Sequence, residues 1–94
     1  MIQVLVRFTV EDQAKWRVVF EEAGELRKRF GSMGVRGFAK ADNPNEIFIL
    51  GDYSDKNKAM ELFQSEEFRA ATKRAGVISP PEVTFLNEVV NLPA

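Results

Sequence analysis

The hydrophobic repeat of this chain switches between the two-residue period of a strand and the roughly 3.6-residue period of a helix, in an order few folds satisfy. Ile2, Val4, Val6, Phe8 and Val10 share one face of a first strand over residues 2–10, with Gln3, Leu5, Arg7 and Thr9 on the other. Trp16, Val19, Phe20, Ala23, Leu26 and Phe30 then recur at helical spacing. Asp12 suits the cap before this helix, and Gly31 the left-handed position after it. Residues 34–42 alternate again, and Asn43-Pro44-Asn45-Glu46 reads as a turn with proline at its second position. A third strand follows over residues 46–54. Ser54 or Asp55 caps a second helix carrying Ala59, Leu62 and Phe63. Ser65 recaps a further helical segment holding Phe68, Ala71 and Ala75, which Gly76 and Val77 close in a Schellman motif. Pro80-Pro81 leads into a fourth strand over residues 82–90.

The order β-α-β-β-α-β predicts one α+β domain over residues 1–94 with the ferredoxin-like arrangement. Right-handed crossovers give a four-stranded antiparallel sheet, order 4-1-3-2, with the helices on one face. The other face would be polar in a monomer. Here the third strand is apolar on both sides, with Ile47 and Ile49 against Phe48 and Leu50. The fourth repeats this, with Val83, Phe85 and Val89 against Leu86 and Val90. A bare apolar sheet face is a liability in solution, so a homodimer packed sheet to sheet about a two-fold axis is expected.

Composition narrows the chemistry. There is no cysteine, which removes disulfides and thiolate sites and fits a cytoplasmic protein. There is no histidine, which removes Ser-His-Asp triads and imidazole metal ligands. Acid-base work would fall to a perturbed carboxylate, lysine or tyrosine. The net charge of −1 offers no basic surface for nucleic acid, and no apolar run is long enough to span a membrane. No cofactor or metal site is expected. Glu21, Glu22 and Glu25 lie on a polar helix face beside basic neighbours. Gly31-Ser32-Met33-Gly34 opens no helix, so it is not a phosphate loop.

Val10-x-Asp12-x-x-Lys15-Trp16-x-x-x-Phe20, Asp42-Asn43-Pro44-Asn45-Glu46, Ser65-x-Glu67-x-x-x-Ala71-x-x-x-Ala75-Gly76-Val77, Pro81-Glu82 and Phe85-Leu86 carry a family resemblance. Together they resemble small uncharacterised proteins of the dimeric α+β barrel superfamily, related to antibiotic biosynthesis monooxygenase-like domains. The resemblance spans nearly the whole chain, but rests on caps, turns and core positions. It implies a ligand pocket between sheet and helices, and activities that include cofactor-independent monooxygenation. In such proteins a histidine often follows the first-strand arginine. Phe8 follows Arg7 here, so a role resting on that imidazole, or on a histidine haem ligand, is absent.

Arg7 sits in a central strand and must meet a carboxylate, backbone carbonyls, water or an anionic ligand. With a tight hairpin at residues 43–46, Gln3, Arg7, Thr9, Tyr53 and Asn87 form one polar set on the sheet, and Arg36 falls opposite Asp52. Arg7, Tyr53 and Asn87 are therefore the candidate catalytic residues. Trp16, Phe20, Phe30, Phe63 and Phe68 form either plain core or the walls of a flat pocket. Three functions remain open: a monooxygenase-like enzyme on a small organic molecule, a non-catalytic binding or sensing module, and a structural dimer.

Overall fold

The computed structural model describes residues 1–94. Its elements are β1 (Ile2–Thr9), α1 (Gln13–Glu22), α2 (Gly24–Arg29), β2 (Ser32–Lys40), β3 (Asn43–Tyr53), α3 (Lys56–Gln64), α4 (Glu66–Arg74) and β4 (Glu82–Leu86). The strands form one antiparallel sheet in the order β2-β3-β1-β4, the expected ferredoxin-like topology. The helices cover one face. The core lies between, built on Val4, Val6, Phe8, Ile47, Ile49 and Leu62. Burying a leucine such as Leu62, 1% exposed, contributes about 1.5–3 kcal/mol.

The helix starts are set by side chains that satisfy otherwise orphaned amides. Asp12 accepts from the amides of Ala14 at 2.9 Å and Lys15 at 3.3 Å. Asp55, rather than Ser54, accepts from those of Asn57 and Lys58. Ser65 accepts from the amide of Phe68 at 3.0 Å, while its extended backbone, ψ 152°, divides α3 from α4. At the end of α4, Gly76 takes a φ of +78°. The amide of Val77 then reaches the Thr72 carbonyl and that of Gly76 the Lys73 carbonyl, the two bonds of a Schellman motif.

The first helix is in two pieces. Ala23 has the turn-like angles φ −82° and ψ 9°, and its amide is shared between the Val19 and Phe20 carbonyls. Gly24, a poor helix former, begins the second piece.

The hairpin turn falls earlier than the sequence suggests, at Ala41-Asp42 rather than Asn43–Glu46. Lys40 pairs with Asn43, and the next pair is Ala39 with Ile47, so Pro44, Asn45 and Glu46 are extra residues on β3. Such a bulge tolerates a proline, because its missing amide costs no ladder bond. The Asn43 side chain accepts from the Asn45 amide at 3.1 Å and shapes the bulge.

The fourth strand stops at Leu86 rather than residue 90. Leu86 pairs with Gln3, and β1 begins one residue earlier, so the following residues run out of partner. Val89 and Val90, expected in that strand, are 93% and 65% exposed.

Candidate functional site

Register decides which residues meet. Ile2 pairs with Tyr53 and Val4 with Gly51, so even positions of β1 share a face with odd positions of β3. Tyr53 therefore lies on the helix-covered face, 3% exposed, while Gln3, Arg7 and Thr9 lie on the open face. Asn87 lies outside β4 and is exposed. The single polar set expected from the sequence is thus divided, because the pairing joins positions of opposite parity. Arg36 stands opposite Leu50, and Asp52 opposite Gly34, so the expected Arg36–Asp52 cross-strand pair does not form. Asp52 accepts instead from the Gln3 side chain at 3.1 Å.

On the open face Arg7 has found a carboxylate. Its Nε donates to Glu46 at 3.0 Å, its Nη1 lies 3.8 Å from Glu82, and Lys40 also approaches Glu46 at 3.8 Å. The hydrogen bond and charge of Glu46 raise the Arg7 pKa above its ordinary value. Arg7 remains half exposed, within reach of the ring of Phe48 directly across the ladder. Leu5, Phe48 and Leu50 form the apolar centre of this face, beside Phe38, which is 48% exposed.

The covered face holds a cavity of about 70 Å³, with 17 hydrophobic residues among the 20 that line it. Two aromatic groups frame it. Trp16 stacks on Phe20 with centroids 4.9 Å apart and meets Phe8 at 6.0 Å. Phe63 meets Tyr53 at 6.2 Å and Phe68 at 5.2 Å, both edge to face. Phe30, grouped with them by sequence, packs on the core but lines no part of the cavity. Gly51 admits this packing, and Gly37 lies under Ile49 and Trp16. A Cβ on Gly51 would stand 2.9 Å from Cε1 of Tyr53, and one on Gly37 would stand 3.6 Å from the far edge of Trp16.

The lining residues that carry a polar side-chain group are Arg27, Tyr53 and Thr72. The Thr72 hydroxyl is spent on the Arg69 carbonyl at 2.8 Å. Arg27, on α2, folds back over the end of α1. Its Cζ lies 4.0 Å from the Phe20 centroid, and Nη1 donates to the Phe20 carbonyl at 2.7 Å. Burial lowers the Arg27 pKa, opposed by Tyr53. Burial raises the Tyr53 pKa, opposed by the Arg27 charge and the Ser32 side chain. Arginine keeps its proton in proteins and burial favours the neutral phenol, so the pair offers a guanidinium and a hydroxyl as hydrogen-bond donors.

The sequence reading missed Arg27 because Arg27-Lys28-Arg29 reads as a solvated basic run. Its spacing does signal the position: Arg27 follows Phe20 by seven residues and Ala23 by four, on the apolar stripe itself.

No protein-family model matches the sequence, and no curated protein is significantly similar to it. Solved structures do match. A Bordetella bronchiseptica protein, assigned provisionally as an antibiotic biosynthesis monooxygenase, is 22% identical with a TM-score of 0.81, over 95% of this chain and 97% of that one. SnoaB from Streptomyces nogalater, a cofactor-independent oxygenase, is 18% identical with a TM-score of 0.78, over 99% of this chain and 97% of that one. A Deinococcus radiodurans protein with the same provisional assignment is 12% identical with a TM-score of 0.73, over the whole of both chains. These likenesses establish the antibiotic biosynthesis monooxygenase-like fold anticipated by the resemblance.

Proposed function

We propose that this protein binds a small, flat organic molecule in the cavity between sheet and helices and oxidises it without a resident cofactor. The carrying observation is an almost wholly apolar chamber whose available polar groups are a cation and a buried phenol, Arg27 and Tyr53. Such a chamber suits an aromatic body bearing one enolisable carbonyl. Loss of a proton from a CH2 beside that carbonyl gives an enolate, whose oxygen Arg27 and Tyr53 would stabilise as donors. The enolate carbon supplies the electrons that reduce O2. The CH2 becomes C=O, and the second oxygen atom leaves as water. No carboxylate lines the cavity, so the proton would pass to water. SnoaB, a cofactor-independent oxygenase of the same fold, supports the reaction class. Of the candidates read from the sequence, Tyr53 belongs to this proposal. Arg7 and Asn87 lie away from the cavity.

The volume admits a second reading. About 70 Å³ is below the roughly 300–1,000 Å³ of typical ligand pockets, which suits a binding module for a small metabolite as well as an enzyme. Titration with 2-indanone, an enolisable aromatic ketone, separates the two. Trp16 is the sole tryptophan and lines the cavity, so its fluorescence reports occupancy. Quenching with equimolar oxygen uptake supports the enzyme. Quenching without uptake supports the binding module. No fluorescence change sinks both.

The open sheet face supports a further part of the proposal, a homodimer. A two-fold copy would cover Leu5, Phe38, Phe48 and Leu50. No helix is long and apolar enough to cross a membrane. A cytoplasmic location fits a chain without cysteine.

A further inference from the structure

Arg27 is a cation without an anion. The ion pairs of this protein engage Arg7, Lys15, Arg17, Arg29 and Lys40, each with an acidic partner, and Arg27 is in none of them. It is also partly buried, and it lines the chamber. A guanidinium offers five N–H donors in a planar fork. One is spent on the Phe20 carbonyl, and no other hydrogen bond to protein is made. Withdrawing such a group from water without a counter-charge is costly, and an incoming anion offsets that cost. Stacking on Phe20 holds the guanidinium beside the apolar wall before any ligand arrives. The wall carries no carboxylate to compete for it.

We propose that the cavity's ligand bears an anionic oxygen, as a carboxylate, phenolate or enolate, on a flat apolar body, and that Arg27 is the residue that selects it. The inference rests on the ligand-binding reading of the cavity and narrows it to one charge class. Arg27 accounts for the polar end of the ligand, with the Tyr53 hydroxyl as a second donor. The aromatic walls account for the body, which must be small or must displace the walls to enter.

The test compares benzoate with benzamide, its neutral analogue of nearly equal shape, and with pentafluorophenolate, which is ionised at neutral pH. Binding is read from amide NMR shifts of cavity-lining residues in the wild-type protein and in R27Q, R27K and R27M. The wild type is expected to hold benzoate at least about tenfold tighter than benzamide. R27Q is expected to erase that preference while still binding benzamide, and R27K to keep part of it. R27M repeats the R27Q measurement with the apolar stem retained, should the glutamine variant not fold. The tighter of benzoate and pentafluorophenolate identifies the anion type. Equal wild-type affinity for benzoate and benzamide, or a preference that survives in R27Q or R27M, overturns the role of Arg27 but leaves the cavity a binding site. If no probe shifts the lining amides, both readings fall together.

Discussion

The guanidinium carbon of Arg27 lies 4.0 Å from the centroid of the Phe20 ring, and the same arginine donates to the carbonyl oxygen of that residue. One residue thus supplies a face for the cation and an acceptor for one of its protons. Both contacts bridge the break at Ala23, from α2 back to α1 over seven residues, so they do not depend on a distant loop.

Arg27→Met tests what this arrangement costs. The thioether side chain keeps the apolar stem over Phe20 and removes a partly buried charge that no carboxylate balances. The Phe20 carbonyl still accepts from the Ala23 amide at 3.3 Å. Urea unfolding is expected to show R27M as stable as the wild type or up to about 1 kcal/mol more stable. A loss above about 2 kcal/mol would make Arg27 a structural residue rather than one held for a ligand.

Tyr53 is the sole tyrosine, so tyrosinate absorbance near 295 nm reports it alone. Burial raises its pKa, and the folded protein should therefore titrate above the value of about 10 seen in urea. Above the unfolded pKa the folded state holds the proton that the unfolded state has lost. Stability from this source is complete below about pH 10 and falls as pH rises toward and through the folded pKa. Unfolding midpoints at pH 8 and pH 11 should differ more for the wild type than for Tyr53→Phe. Equal differences would place the phenol in water.

Leu62→Ala removes a side chain that is 1% exposed and lines the chamber. The expected loss is about 2–5 kcal/mol by urea unfolding. Because the new space adjoins the existing cavity, saturating toluene should restore part of that loss through binding to the folded state alone. Loss without rescue would mean that the walls collapse into the space.

Phe48 stands at the centre of the open sheet face, opposite Arg7. Phe48→Glu places a charge where the proposed partner copy packs, and light scattering should then give half the wild-type mass. An unchanged mass, dimeric or monomeric, removes this face as the interface.

Much of the fold was legible in residues whose local chemistry admits one use. The alternation of residues 2–10, the capping carboxylate of Asp12, the hydroxyl of Ser65 and the left-handed Gly76 each act within a few residues of their own position. The site was less legible because it depends on pairing between distant segments. The local pattern alone places Tyr53 beside Arg7, whereas its face is set by the register of β3 against β1, which that pattern does not contain. Pro44 suggests a turn and sits in a bulge because bulges and turns draw on the same residues. Arg27 was hidden by its neighbours Lys28 and Arg29, which are exposed where it is not.

Gly37 and Gly51 give the sheet two smooth places under the aromatic walls, where Trp16 and Tyr53 settle against bare backbone. The chamber's dimensions are therefore partly written in two positions that carry no chemistry. One codon change at Gly51 would push on Tyr53 and Val35, a change at Gly37 on Ile49, and neither would touch Arg27. Through Gly37, size can thus drift without charge preference, so a lineage built on this scaffold could exchange one substrate for another of different bulk while keeping the same handle for its charged end, whereas a change at Gly51 would shift the second donor as well.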